Sequence, residues 1–419
     1  MTSRILLAIA LAAAPCLTAQ MAGGSNGGSV TRLTQDLIAL TADSMDGRGV
    51  GTRGIDLAAQ YIADRFREIG LAPALRGSYF HDFFVRADAP AVAHTNLGGS
   101  TARNVVGIVR GSEWPGSFVV IGAHYDHLGF GGMGSLDPDS TGVVHNGADD
   151  NASGTTALIE AAHLIAAQRP KRSVMVIAFS GEELGLLGST SFVKDAPIAI
   201  DSIYAMVNMD MVGRLRGGRL ALFGANSAVE LPGILDQVNE AFGLELGASG
   251  DGYGRSDHSS FYVAGRPVVH FFTGTHEDYH RTTDDWEKLN VEGIDTIARF
   301  AAHLAMALAA RPEPLTYVAA PPPAPATGGG YGAYLGSIPD MTESPGGVRL
   351  TGVRAGSPAE EAGLAAGDIL IQIGEFEIGN LYDMTDALRS HKPGDTVWVV
   401  AKRGDSEIRV SVTLRRRGG

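Results

Sequence analysis

Five segments of this chain carry imidazole or carboxylate side chains where apolar runs end. They are His124-Tyr125-Asp126, Asp149-Asp150-Asn151, Glu182-Glu183, Asp210 between two methionines, and Asp278-Tyr279-His280. Two Glu residues at the end of a buried strand cost stability unless they are paired or bind a cation. A carboxylate pair ahead of a helix exceeds what capping needs, and one such carboxylate can bridge two metals, one oxygen to each. One His and one carboxylate per metal, plus a shared carboxylate, make a paired site. Imidazole and carboxylate without thiolate suit zinc, with manganese or cobalt as alternatives. Such a pair lowers the pKa of a shared water and polarises a carbonyl, while a free carboxylate beside the water moves its proton to a leaving amine. The chemistry is metal-assisted amide hydrolysis. At this level Asp149 competes with Asp150, and Glu182 with Glu183, for the ligand role. Asp126 is spaced to orient a ligand imidazole or to support the loop.

The sequence has no phosphate loop ending in Lys-Ser/Thr.

Those residues need a scaffold. Apolar runs at Val105 to Val109, Phe118 to Ala123, Ser173 to Phe179, Ile203 to Met209, Leu220 to Phe223 and Pro267 to Phe272 read as strands. Helical spacing marks Leu33 to Leu40, Ile55 to Ile69, Ser153 to Ala167, Leu184 to Val193 and Ile294 to Leu308. Apolar strands alternating with helices argue for an α/β layer fold with a buried, largely parallel sheet. Ligands in such folds collect at the carboxyl ends of the strands, so the five segments fall on one edge of one domain. The pattern stops near Arg311. Residues 312–330 are rich in Pro, Ala and Gly and read as a linker, and a β-rich domain follows.

Composition sets the outer limits. The formal charge of −13, from 33 Lys and Arg against 46 Asp and Glu, argues against a nucleic-acid binder. Residues 1–19 read as a signal peptide: Arg4, an apolar stretch from Ile5 to Ala14, and a cleavage point after Ala19. The chain is therefore expected to be secreted or periplasmic, with no membrane span. The Gly- and Ser-rich residues 21–30 are expected to be disordered. Cys16, the single cysteine, falls in the signal peptide, so a metal in the mature chain must rest on His, Asp and Glu.

The segments GAHYDHLG, GADDNASG, FSGEELGLLGS, VNMDMVG and EDYHRTTDDWEKLN occur in the order seen in the bacterial leucyl-type zinc aminopeptidases, metallopeptidase family twenty-eight, and the chain resembles that family over roughly residues 100 to 310. The resemblance implies a three-layer α/β/α zinc-exopeptidase domain over residues 30–311 with a mostly parallel mixed sheet. It implies two Zn²⁺ per chain, one on His124 and Asp210, the other on Glu183 and His280, with Asp150 bridging. It implies Glu182 as general base acting on a metal-bridging water, Tyr279 as oxyanion support, and Asp126 orienting His124. Substrates would be peptides with a free N-terminus. Ser256-Asp257-His258 is similar to a substrate-side motif or a capped helix start, and Asp257 is a candidate reader of the substrate amine. Val353 to Leu364 with Gly367 to Leu370 resembles a PDZ domain, expected over 331–419, with Tyr334 to Ser337 as a loop able to receive a peptide C-terminus. Competing readings are a carboxypeptidase or dipeptidase on the same scaffold, and a non-catalytic PDZ protein that binds peptides.

Overall fold

The computed structural model describes residues 27–87, 92, 97–132, 134–321, 333–339, 346–379, 381–404 and 406–416. The signal-peptide reading of residues 1–19 and the second half of the linker lie outside them.

The first unit is a nine-stranded sheet of β1 (Ala72–Pro73), β2 (Phe80–Phe84), β3 (Thr101–Val109), β4 (Trp114–His124), β5 (Arg172–Phe179), β6 (Ile203–Met209), β7 (Arg219–Phe223), β8 (Glu245–Ser249) and β9 (Val268–Phe272). The order is β1-β3-β5-β4-β6-β9-β7-β8, with β2 also on β3. The four central strands β5-β4-β6-β9 run parallel. Antiparallel pairings gather at the flanks, on β3 and between β7 and β9. All eight residues of β5 are buried, which explains the unbroken apolar run from Val174 to Phe179: both faces of this strand are covered.

Helices α1 (Gly27–Leu40), α2 (Arg53–Ile69), α3 (Gly154–Ala166), α5 (Leu231–Asn239) and α7 (Val291–Ala310) pack with alternate strand residues such as Val119, Ile121, Val174 and Val207. Helices α4 (Leu187–Lys194) and α6 (His258–Val263) pack with the other set, including Val120, Met175, Ile177 and Met206. The result is three layers, and the period-2 alternation of each strand assigns its side chains to one or other core. Helix α7 is long and apolar enough to cross a bilayer, but it lies in the core beside α3.

Three local readings change. The segment expected to be disordered up to residue 30 is helical from Gly27, and the Ser29 hydroxyl sits within hydrogen-bonding distance of two carboxylates, 2.8 Å from Glu160 and 2.5 Å from Asp295. The helix expected from Leu184 begins only at Leu187, for a reason given below. The linker's first residues lie along the peptidase unit: Tyr317 donates to the Tyr262 carbonyl at 2.9 Å, the Tyr262 hydroxyl donates to Val318 O at 3.0 Å, and Thr316 N–H reaches Glu230 at 2.8 Å. A chain ended after Pro321 is expected to keep the melting temperature of the peptidase unit. One ended after Arg311 loses these bonds and the Tyr317 packing, at about 1 kcal/mol per bond, and should melt several degrees lower. Equal melting of the two truncations would show that the strap contributes nothing.

The second unit is a six-stranded antiparallel sheet of β10 (Ser337–Pro339), β11 (Val348–Val353), β12 (Ile369–Ile373), β13 (Phe376–Glu377), β14 (Thr396–Arg403) and β15 (Ser406–Thr413), with helices α8 (Pro358–Glu361) and α9 (Leu381–Ser390). It has its own core, built on Leu335, Leu350, Leu370, Val399 and Leu414. Among the described residues, strand β10 ends the path of this sheet and pairs with β11 alone.

Candidate metal centre

The four central parallel strands end on one side, and each delivers part of a cluster. His124 is the last residue of β4, Glu182 and Glu183 follow β5, Asp210 follows β6, and His280 lies in the segment after β9. Asp150 comes from the connection between β4 and α3. This is the geometry expected of ligands in an open α/β sheet.

The distances sort these residues into two facing sets. His124 Nε2 is 3.3 Å from Asp210 Oδ1, and His280 Nε2 is 3.2 Å from Glu183 Oε2. Asp150 lies between them, with Oδ1 3.4 Å from His124 Nε2 and Oδ2 3.1 Å from His280 Nε2. The other ring nitrogen of each imidazole is tied back: His124 Nδ1 to the Asp126 carbonyl at 3.2 Å, and His280 Nδ1 to the Gly134 carbonyl at 2.8 Å. Those carbonyls hold each Nδ1–H, so both Nε2 atoms face the cluster, where a metal would displace any proton they carry. Both Nε2 atoms and Asp210 Oδ1 are buried with no hydrogen-bond partner among the described residues. Orphaned buried acceptors around a shared carboxylate are what a pair of divalent cations would satisfy, and imidazole with carboxylate is a zinc-type donor set. The residues fit the group. One potential ligand atom each from His124, Glu182 and Asp210 lie within 4.8 Å of one another, and so do atoms of His127, Asp150 and Glu183.

Asp149 points elsewhere. Its carboxylate accepts from the Ser153 hydroxyl at 2.9 Å and Gly213 N–H at 2.7 Å, and meets His276 Nε2 at 3.0 Å. The backbone between Gly147 and Gly154 is not helical at Asp150 and Asn151, and their peptide bond is cis. Asp284 holds this turn by accepting the N–H groups of both Asp149 and Asp150, at 2.8 and 3.1 Å. Gly154 must be glycine, because a Cβ there would stand 2.4 Å from the Met209 carbonyl.

Asp126 supports the loop more than the imidazole. Its carboxylate accepts the backbone N–H of Glu182 at 3.2 Å and of Glu183 at 3.3 Å, while its closest oxygen is 3.7 Å from His124 Nδ1. That capture draws the Glu pair into a turn, in which Leu186 takes a left-handed φ of 61°, and delays the helix to Leu187. Tyr279 stacks on His280 at 3.8 Å between ring centroids. Burial, then the neighbouring carboxylates Asp150 and Glu183, hold its phenol well above the usual tyrosine range, so it remains an O–H donor. Asp257 is fully buried at the start of α6, and burial, against the pull of His124, pushes its carboxyl up to about 7.

Charge in the site is tightly balanced. Burial opposes a charged His124, yet Asp210 and Glu182 outweigh it and hold the imidazolium well above its ordinary range. Burial likewise opposes His280, and Glu183 and Asp150 push it up to about 11. Burial, Asp210 and Glu183 hold the Glu182 carboxyl well above the usual value, against the pull of His124.

Two residues not singled out in the sequence belong here. His127, three residues after His124, places Nδ1 2.8 Å from Glu183 Oε1. Its only signal was a second imidazole in the same motif. Arg48 is fully buried, and its guanidinium donates to four carbonyls around the cluster's entry segments.

Residues 104–305 match the peptidase family M28 model, and residues 333–414 match a PDZ domain model. A strand-end cluster of this composition in a three-layer α/β unit is that of a zinc-peptidase fold. The chain is thus similar to family M28 peptidases over the first of these spans and to PDZ domains over the second. A probable zinc metalloprotease of Pyrenophora teres f. teres is 30% identical over 161 residues, which is 38% of this chain and 33% of that protein. The chain thus spans about a third of that relative. Among solved structures, the LapA aminopeptidase of Legionella pneumophila aligns with a TM-score of 0.52 at 22% identity, covering 68% of this chain and 73% of that one. BSAP, a zinc aminopeptidase from Bacillus subtilis, aligns with a TM-score of 0.51 at 18% identity, covering 66% and 94%. At these identities the two structures speak for the fold.

Proposed function

We propose that this chain is an exported aminopeptidase that uses two zinc ions to release N-terminal residues from peptides. His124 and Asp210 would hold one ion, Glu183 and His280 the other, and Asp150 would bridge them. The observation that carries this reading is the Asp150 carboxylate with one oxygen toward each of two oppositely placed imidazoles. Zinc, when bound, polarises the scissile carbonyl and makes water a nucleophile at neutral pH.

The chain's own residues supply the rest. Glu182 takes a proton from the attacking water and returns it to the amine nitrogen as the C–N bond breaks. Tyr279, kept protonated, donates its O–H to the carbonyl oxygen as charge develops there. The Asp126 carboxylate keeps the Glu182–Glu183 turn in register with His124. Aminopeptidase action is supported by the fold neighbours, both of which are called aminopeptidases. Export is supported by Arg4, the apolar run from Ile5 to Ala14 and the small-residue cleavage point. The PDZ domain would receive a peptide C-terminus at Tyr334 to Ser337, with the peptide adding as a strand beside β10, which among the described residues pairs with β11 alone.

The test is chelation on the full chain. Metal removal is expected to abolish cleavage of amino-acyl anilides, and zinc to restore it. Removal should become easier as pH falls, because His124 and His280 must give up protons to bind metal and regain them when it leaves. Activity indifferent to chelation would end the metal reading. Restored hydrolysis confined to dipeptides or to C-terminal residues would replace the aminopeptidase with another exopeptidase.

A further inference from the structure

Glu183 divides its two oxygens. Oε2 faces His280 Nε2 at 3.2 Å, while Oε1 is 2.8 Å from His127 Nδ1. The His127 ring is 2% exposed and meets the His280 ring edge-on at 5.7 Å between centroids. Its backbone is fixed as well, the His127 N–H donating to the Arg48 carbonyl at 3.2 Å. Space for the ring depends on Gly147: a Cβ there would lie 2.3 Å from the ring carbon Cδ2. The fold therefore encloses an imidazole whose nearest polar partner is the carboxylate expected to bind metal.

A glutamate side chain has several rotamers and can ligate through one oxygen or both. A donor fixed on one oxygen removes that freedom before metal arrives. We propose that His127 is a positioning residue: its Nδ1–H donates to Glu183 Oε1, and this confines Glu183 to ligation through Oε2 at the cation position shared with His280 and Asp150. The proposal rests on the two-metal reading above. The alternative role for His127, direct ligation, would need the same Nδ1 that Glu183 occupies, since that atom is also the one 4.0 Å from Asp150 Oδ2.

Leu and Asn have nearly the same shape, and only Asn carries an N–H at the position of Nδ1, so His127→Leu and His127→Asn separate donation from packing. Metal-free full-length protein is titrated with zinc against a chromophoric chelator, with the melting temperature of each metal-free variant recorded. His127→Leu is expected to weaken one of the two zinc ions by about 10- to 100-fold and leave the other unchanged. His127→Asn should recover most of that loss. A Leu variant that binds both ions as wild type does, or an Asn variant no tighter than Leu, overturns the role. Should the variants not fold, the unmutated zinc-loaded chain decides: long-range ¹⁵N correlation must show His127 protonated at Nδ1, and an unprotonated Nδ1 overturns it. A wild-type chain that takes up no zinc fails at the metal reading, whereas the variant outcomes strike only at His127.

Discussion

Replacing Glu182 by Gln is expected to lower kcat by about 10²- to 10⁴-fold, the range of a lost general base, with both zinc ions retained. The substitution keeps shape and hydrogen-bonding reach but removes the ability to accept a proton. The surrounding turn should not move, because it is held through the backbone: Glu182 N–H donates to Asp126, and the Glu182 carbonyl accepts from Gly185 and Leu186 at 2.8 and 3.0 Å. One Glu182 oxygen lies within 4.8 Å of a ligand atom of His124 and of one of Asp210, close enough to take a proton from a water held there. The neighbouring substitution sharpens the test. Glu183→Gln should instead weaken one metal, since Glu183 faces both His280 and His127. Metal content and kcat on an amino-acyl anilide, measured on both variants, separate the roles. Full activity in Glu182→Gln with zinc bound would sink the base assignment, and metal loss in that variant would make Glu182 a ligand.

The contrast between these neighbours shows what a sequence can carry. Strand β6 was legible to the residue, Ile203 to Met209, because a largely buried parallel strand is a short, mostly apolar run, interrupted here only by Asn208. The cluster's location followed from the same fact, since the charge that ends such a run stands at the sheet's carboxyl edge. The choice between Asp149 and Asp150 was not legible. It is set by Ser153, Gly213 and His276, which claim Asp149, and two of those lie more than sixty positions away in the chain. The turn at 182–186 was hidden for a similar reason: Asp126, 56 residues earlier, takes the N–H groups that would have opened a helix. Strands β1, β2 and β8 and helices α5 and α6 are short and only partly buried, so neither period 2 nor period 3.6 ran long enough to mark them.

Arg48→Met is expected to destabilise the peptidase domain by about 3–5 kcal/mol, the cost of stripping a buried, hydrogen-bonded charge from its partners, and to weaken metal binding with it. Arg48 is 0% exposed in a left-handed conformation, φ 48°. Its guanidinium donates to Tyr125 O at 2.8 Å, Leu40 O at 2.7 Å, Asn146 O at 2.8 Å and Gly147 O at 2.7 Å. Those carbonyls belong to the end of α1, the exit of β4 and the approach to Asp150, three segments that no secondary-structure bond joins. Burial draws the guanidinium down to about 10, against the pull of Asp150, Asp126, Asp284 and Glu183, so it stays charged at neutral pH and offsets part of the acidic cluster. Methionine keeps most of the stem's packing but takes the guanidinium donor from the carbonyls of Leu40, Tyr125 and Asn146, while Gly147 O keeps the Ala152 N–H at 3.2 Å. Arg48→Lys should recover only part of the loss, because three ammonium donors on one nitrogen cannot span four acceptors set around a planar fork. Urea denaturation of the metal-free variants checks the magnitude. A Met variant within about 1 kcal/mol of wild type, the worth of a single ordinary hydrogen bond, would show that water replaces the guanidinium and that the three segments hold their places without it.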